Sequence, residues 1–125
     1  MNQPLQQFQN QQYLNIETFR KNGLGVKTPV WFAQDGETLL VWTGHESGKA
    51  TRIRRDGKVR IVPSTMAGEP LGEWTDASAV AEDSTETMKH VEALFQKKYG
   101  FTFTVYRTVG NIRGGKRTAL ILKLR

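Results

Sequence analysis

Between Tyr13 and Arg20 the chain alternates, with Leu14, Ile16, Thr18 and Arg20 on one face and Tyr13, Asn15, Glu17 and Phe19 on the other. That period of two predicts a strand, and Asn22-Gly23 with Gly25 ends it. Val26 to Ala33 is a second β-rich run, Asp35-Gly36 suits a tight hairpin, and Thr38 to Thr43 returns as a third strand. Consecutive antiparallel strands of this kind argue for a meander or barrel and against alternating βαβ units. Lys58 to Ser64, Glu73 to Ala81 and Thr118 to Leu124 read as further strands.

Two segments change period to that of a helix. Ser47 can cap a short helix across Lys49 to Arg55, because its hydroxyl accepts from the open backbone N–H groups of the first turn, and Asp56-Gly57 ends it. The clearest helix starts at Asp83 or Ser84, buries Met88, Val91, Leu94 and Phe95, carries Lys97 and Lys98 in its last turn and stops at Gly100. Residues 101–113 fit both periods: Phe101, Phe103 and Val105 alternate, whereas Phe101, Val105, Val109 and Ile112 recur at helical spacing. Residues 1–12, rich in Gln and Asn with Leu5 and Phe8 three apart, are expected to form a frayed or lightly docked arm on a single domain of residues 13–125.

Composition narrows the chemistry. The 125 residues include no cysteine, which excludes a disulfide framework, a thiolate nucleophile and cysteine metal sites. No apolar run approaches the ~20 residues of a membrane span, and no signal-peptide pattern opens the chain, so a cytoplasmic home is expected. The net charge of +6 is unevenly placed. Lys49, Arg52, Arg54, Arg55, Lys58 and Arg60 cluster around the single acid Asp56, and no acid occurs after Glu92. Such a face attracts anions.

No conventional catalytic constellation is present: His45 and His90 have no metal-spaced partner, and no serine sits on a nucleophile elbow. An enzyme built this way needs a cofactor to supply the reactive atoms. The stretch from Trp42 to Arg60 is where an anion can be held. There a strand ends at Thr43, the chain turns at Gly44 and a helix opens near Ser47, so N–H groups, a hydroxyl and the Lys49 ammonium converge with Arg52 one turn on.

Thr28-Pro29-Val30-Trp31-Phe32-Ala33, Leu40-Val41-Trp42-Thr43, Ser47-Gly48-Lys49-Ala50 with Arg52, Arg54 and Arg55, and Val59-Arg60-Ile61 with Pro63 occur in that order. In this ordered set the chain resembles the split β-barrel flavin and deazaflavin oxidoreductases related to pyridoxamine phosphate oxidase. Gly68-Glu69-Pro70-Leu71-Gly72-Glu73-Trp74 and Lys97-Lys98-Tyr99-Gly100 are similar to the probable coenzyme F-420 subgroup. The resemblance runs from about Tyr13 to the C-terminus. It implies a mainly β fold with helices, a six-stranded antiparallel split barrel, and a helix over Phe101 to Ile112.

The resemblance further implies that FMN or the deazaflavin, undecided between them, lies at a homodimer interface and exchanges hydride with a small organic substrate. Thr28, Pro29, Val30 and Trp31 would hold the ring edge through backbone groups, and Trp42 and Thr43 would lie near the ribityl chain. Ser47, Gly48 and Lys49 match the phosphate turn, with Arg52 beside it; no residue is assigned a catalytic role and no metal is expected. Two departures narrow the transfer. The C-terminal tryptophan- and arginine-bearing segment of true pyridoxamine phosphate oxidases has no counterpart, so vitamin B6 oxidation is not expected. The family's Asn-Pro-Arg-Val reads Asp56-Gly57-Lys58-Val59. The alternatives are a basic β-barrel binding nucleic acid, with Phe32, Trp42 and Trp74 as stacking platforms and the 49–60 cluster on phosphates, and a catalytically silent flavin carrier.

Overall fold

The computed structural model describes residues 3–113 and 115–125, with the side chains of residues 4–110 and 115–125. Its seven strands form one antiparallel sheet: β1 (Tyr13–Phe19), β2 (Gly25–Trp31), β3 (Ala33–Asp35), β4 (Thr38–Gly44), β5 (Lys58–Ser64), β6 (Thr75–Glu82) and β7 (Arg117–Leu124). Across the sheet the order is β2-β1-β5-β6-β7-β4-β3. β2 and β3 therefore lie on opposite edges although Phe32 alone separates them in the chain. One residue spans only about 3.5 Å, so the two edges must meet and the sheet must curl on itself. This is a split barrel, open between β2 and β4.

The expectation of six strands is corrected to seven at Phe32. The run read as one strand from Val26 to Ala33 divides there, because its first part pairs with β1 (Trp31 opposite Tyr13) and its second with β4 (Ala33 opposite Leu40). The Asp35-Gly36 hairpin forms as expected, with Asp35 opposite Thr38 and Gly36 at φ +59°. The sixth strand starts at Thr75, and Trp74 lies just outside it, between Lys27 and Arg60 at 5.3 and 5.5 Å from the ring.

The helices are α1 (Gln3–Gln6), α2 (Gly48–Arg55), α3 (Thr85–Tyr99) and α4 (Phe101–Arg113). α2 and α3 start where a serine caps them: the Ser47 side chain accepts from the Ala50 N–H at 3.3 Å and the Ser84 side chain from the Thr87 N–H at 3.2 Å. Gly100, at φ +60°, ends α3 and lets α4 leave at once in a new direction.

Two apolar clusters fill the interior. The first lies inside the barrel, where Leu14, Ile16, Val41, Ile61, Leu120 and Leu122 meet Ala50 and Ile53 of α2. The arm is docked here: Leu5 and Phe8 are buried in this cluster, and the Gln7 amide donates to the Glu73 carbonyl at 2.8 Å and accepts from the Glu73 N–H at 2.9 Å. Of the two states expected for the arm, frayed or lightly docked, the structure shows the docked one, with Phe8 packed edge-on against Phe32 at 5.9 Å. The second cluster joins Val91, Phe95 and Phe103 to Ala33, Leu40, Trp42 and Ala119. Met88 and Leu94 are only partly buried against it. The helical stripe of α4 faces outward: Phe101 is 81% exposed and Val105 and Val109 are each 46% exposed, while Phe103 points in. Among the described residues no helix is long and apolar enough to cross a membrane.

Candidate functional site

A cleft of about 270 Å³ occupies the split in the barrel. Thr28, Pro29, Val30 and Trp31 form one wall, Trp42 and Thr43 of β4 face them, and Lys49 of α2 reaches in between. β2 pairs with β1 on one side only, so backbone groups on its other edge are open to a ligand. Pro29 fits such an edge, since it has no N–H to contribute to a ladder. Residues assigned to a ring-binding strand, a ribityl segment and a phosphate turn thus meet at one place from three separate stretches of chain.

The α2 start makes one end of the cleft attractive to an anion. Of its first-turn N–H groups Ser47 caps that of Ala50, while those of Gly48 and Lys49 stand at the positive end of the helix without an intrahelical acceptor, and the Thr43 hydroxyl approaches the Ser47 hydroxyl at 3.5 Å. Burial, and secondarily the nearby Arg52, hold the Lys49 ammonium below its usual pKa. No carboxylate of the described residues forms an ion pair with Lys49 or Arg52. An arriving phosphate would offset the desolvation that Lys49 suffers here.

Ser47, Gly48 and Arg52 border this turn without lining the cleft. The Arg52 Nε donates to the buried Thr18 hydroxyl at 2.7 Å, and its terminal nitrogens lie over Gly48, where a Cβ would come within 2.8 Å of one of them. Arg52 is tied to the first strand, and its role at the turn is a neighbouring positive charge.

Aromatic rings close the cleft. Trp31 stacks on Tyr99 at 4.4 Å with an interplanar angle of 10°, and Tyr106 leans on it at 5.4 Å. Trp42 is 6% exposed; its Nε1–H donates to the Glu92 carboxylate at 3.2 Å, and Phe103 and Tyr106 meet its ring at 5.3 and 5.6 Å. Little of Trp42 is therefore available to a ligand. Tyr13, Phe95 and Tyr106 also line the cleft and were not singled out by sequence. Tyr13 was visible as a strand start and Phe95 as a core residue, but the strand register brings Tyr13 here, the packing of α3 brings Phe95, and the turn at Gly100 brings Tyr106.

The surface that would serve nucleic acid is largely used by the fold. Phe32 and Trp42 are buried and are not free stacking platforms, while the half-buried Trp74 has Lys27 and Arg60 over its ring. Within the basic cluster, Arg54 donates to the His45 carbonyl, Arg55 to the Phe19 carbonyl, and Arg60 pairs with Glu17 and Asp76 at 3.6 and 3.7 Å. The histidines lie elsewhere: His45 is 3.5 Å from Asp83 and His90 is 2.8 Å from Asp35. Among the described residues no three His, Cys, Asp or Glu side chains gather as a metal site.

No family model and no curated protein matches this chain. Solved structures do. The heme storage protein HutZ of Vibrio cholerae superposes with a TM-score of 0.73 at 17% identity, over 98% of this chain and 87% of that one. The conserved hypothetical protein Rv2991 of Mycobacterium tuberculosis gives 0.70 at 18% identity, over 100% and 81%. An inferred pyridoxamine 5'-phosphate oxidase of Listeria innocua gives 0.66 at 12% identity, over 99% and 92%. At these identities the shared property is the fold, and this chain has the split-barrel fold of pyridoxamine 5'-phosphate oxidase-like proteins.

Proposed function

We propose that the chain is a flavin- or deazaflavin-dependent oxidoreductase acting on a small organic molecule. The observation that carries this reading is the convergence of the open β2 edge, the Trp42-Thr43 strand end and Lys49 on one cleft. These donors fit an elongated cofactor with a flat ring at one end and a phosphate at the other. Such a ring, when bound, supplies or accepts the hydride. The chain's own residues do the rest: backbone groups of Thr28 to Trp31 align the ring edge, Lys49 and the Ser47-capped turn hold the phosphate, and Tyr13, Phe95 and Tyr106 limit water. None of these side chains needs to exchange a proton with the substrate, so the chemistry rests on the cofactor.

The functional unit we infer is a homodimer. The apolar β2 residues Val30 and Trp31 are partly exposed beside the cleft, and the α4 stripe of Phe101, Val105 and Val109 presents further uncovered apolar surface. Phe32 does not contribute, because Phe8 and Lys98 cover it within one chain. Light scattering should give twice the 14.2 kDa chain mass at micromolar concentration; the single-chain mass would refute the dimer.

HutZ brings a second ligand into consideration, heme. Heme proteins commonly hold the iron with a histidine, cysteine, methionine or tyrosine. Both histidines are engaged away from the cleft, the chain has no cysteine, and no described methionine lines the cleft. Tyr13 and Tyr106 do line the cleft and could hold iron, so what favours the flavin-type ligand is the open β2 edge together with Lys49. An absorption spectrum of the purified protein, with mass spectrometry of the released ligand, separates the readings. A flavin or deazaflavin band supports the proposal, a Soret band replaces it with heme storage, and a protein that binds oligonucleotides but neither flavin nor deazaflavin restores the nucleic-acid reading.

A further inference from the structure

Arg117, the first residue of β7, lies where the end of β4 and the α4 helix approach each other. Its guanidinium lies 5.0 Å from the Trp42 ring, its strand position is opposite Gly44, and it rests against Gly110 of α4, where a Cβ would come within 2.0 Å of a terminal nitrogen. A glycine inside a helix is unfavourable, so that close approach is what Gly110 makes possible. The Nε–H is sealed from solvent, and no described residue accepts from it. No carboxylate of the described residues forms an ion pair with Arg117, and residues 1–3 and 111–114 contain no Asp or Glu that could.

Beside this guanidinium is a cavity of about 140 Å³, walled by Trp42, Thr43, Tyr106 and Val109. It shares Trp42, Thr43 and Tyr106 with the main cleft, so the two adjoin. A planar guanidinium matches a planar carboxylate through paired N–H donors. A phosphate dianion is served less well, since Lys116 nearby is 3.2 Å from Asp83 and already paired. The remaining walls are aromatic and aliphatic, and suit the apolar body of an organic acid.

We propose that Arg117 and this cavity form an annex of the cleft that binds the carboxylate of a small aromatic or apolar organic acid. The annex stands on Arg117 and its surroundings alone. That the bound acid is also the substrate rests on the flavin reading above.

Calorimetry with benzoate at constant ionic strength tests it, using benzamide as the neutral isostere and inorganic phosphate as the competing oxyanion. Benzoate should bind at least tenfold more tightly than benzamide, and inorganic phosphate, which the Lys49 turn can also take, should not displace it. Arg117→Lys should weaken benzoate by tenfold or more and Arg117→Gln should abolish binding, with Lys58→Gln unchanged. Gly110→Ala keeps the arginine and favours the helix, so it should weaken benzoate while the fold persists, even if Arg117→Gln does not fold. Equal binding of benzoate and benzamide, tight phosphate binding in place of benzoate, or benzoate affinity unaffected by Gly110→Ala would each overturn the annex. Arg117-dependent benzoate binding by a protein that takes up no flavin or deazaflavin would keep the annex and remove the flavin reading.

Discussion

The Tyr99 hydroxyl accepts the Phe32 N–H at 3.0 Å and donates to the Gln12 carbonyl at 2.6 Å, while Lys98 donates to the Phe32 carbonyl at 2.7 Å. Phe32 is the one residue between strands on opposite sheet edges, and its backbone groups have no ladder partner there. Two side chains of the last α3 turn replace that ladder. The same Tyr99 stacks under Trp31, so the end of α3 fixes both the crossing and one wall of the cleft.

Removing the hydroxyl should expose this dependence. Tyr99→Phe leaves the buried Phe32 N–H without its acceptor and should cost about 1–3 kcal/mol in a urea titration. Burial also raises the Tyr99 pKa, so the hydroxyl stays protonated and able to donate. A change below about 0.5 kcal/mol would show that water replaces the bond freely.

Lys98 gives a pH signature. Burial lowers its pKa from 10.5 to about 8, so the folded chain holds this proton less tightly than the unfolded chain does. The penalty for the charged form is complete below about pH 8 and is relieved as pH rises toward 10.5. Stability of the native protein relative to Lys98→Met should therefore increase between pH 8 and pH 10 in denaturant titrations. Parallel curves for the two proteins would contradict the assignment.

The α3 face offers a graded test of packing. Phe95→Ala removes a buried ring from the second cluster and should cost about 3–5 kcal/mol. Leu94→Ala should cost clearly less, because Leu94 is only partly buried. Equal losses would mean the helix is rotated from the position described.

At the anion end, Lys49→Ala should lower cofactor affinity about 10- to 150-fold, the equivalent of one charge-assisted bond of roughly 1.5–3 kcal/mol. Lys58→Ala, of equal charge and outside the turn, should change affinity little. Fluorescence titration with FMN or the deazaflavin measures both; equal effects would reduce the site to general electrostatics.

Ser47→Ala separates cap from ligand. Loss of the bond to the Ala50 N–H should destabilise the fold by about 0.5–2 kcal/mol without any cofactor present. Unchanged stability in thermal unfolding would remove Ser47 from the framework of the turn.

What the sequence determined by itself is what neighbouring residues decide among themselves. Ser47, Ser84 and Gly100 set helix ends through bonds and backbone angles spanning a few residues, Asp35-Gly36 sets its hairpin, and alternation marks β1, β5 and β7. Of the cleft residues, Thr28 to Trp31, Trp42, Thr43 and Lys49 were named from ordered motifs; Tyr13, Phe95 and Tyr106 were not, and Ser47, Gly48 and Arg52, named with them, stay outside the cavity. Tertiary structure alone decided the break at Phe32, because only two distant ladder partners and the end of α3 make it favourable to leave the strand there. The helix over Phe101 to Ile112, left open by periodicity, was implied by the resemblance, but tertiary structure decided its buried face, with Phe103 inward and Phe101, Val105 and Val109 outward. Arg117 was one basic residue among many in the chain; its partnerless Nε exists only where β7, α4 and Trp42 come together, a juxtaposition no local pattern encodes.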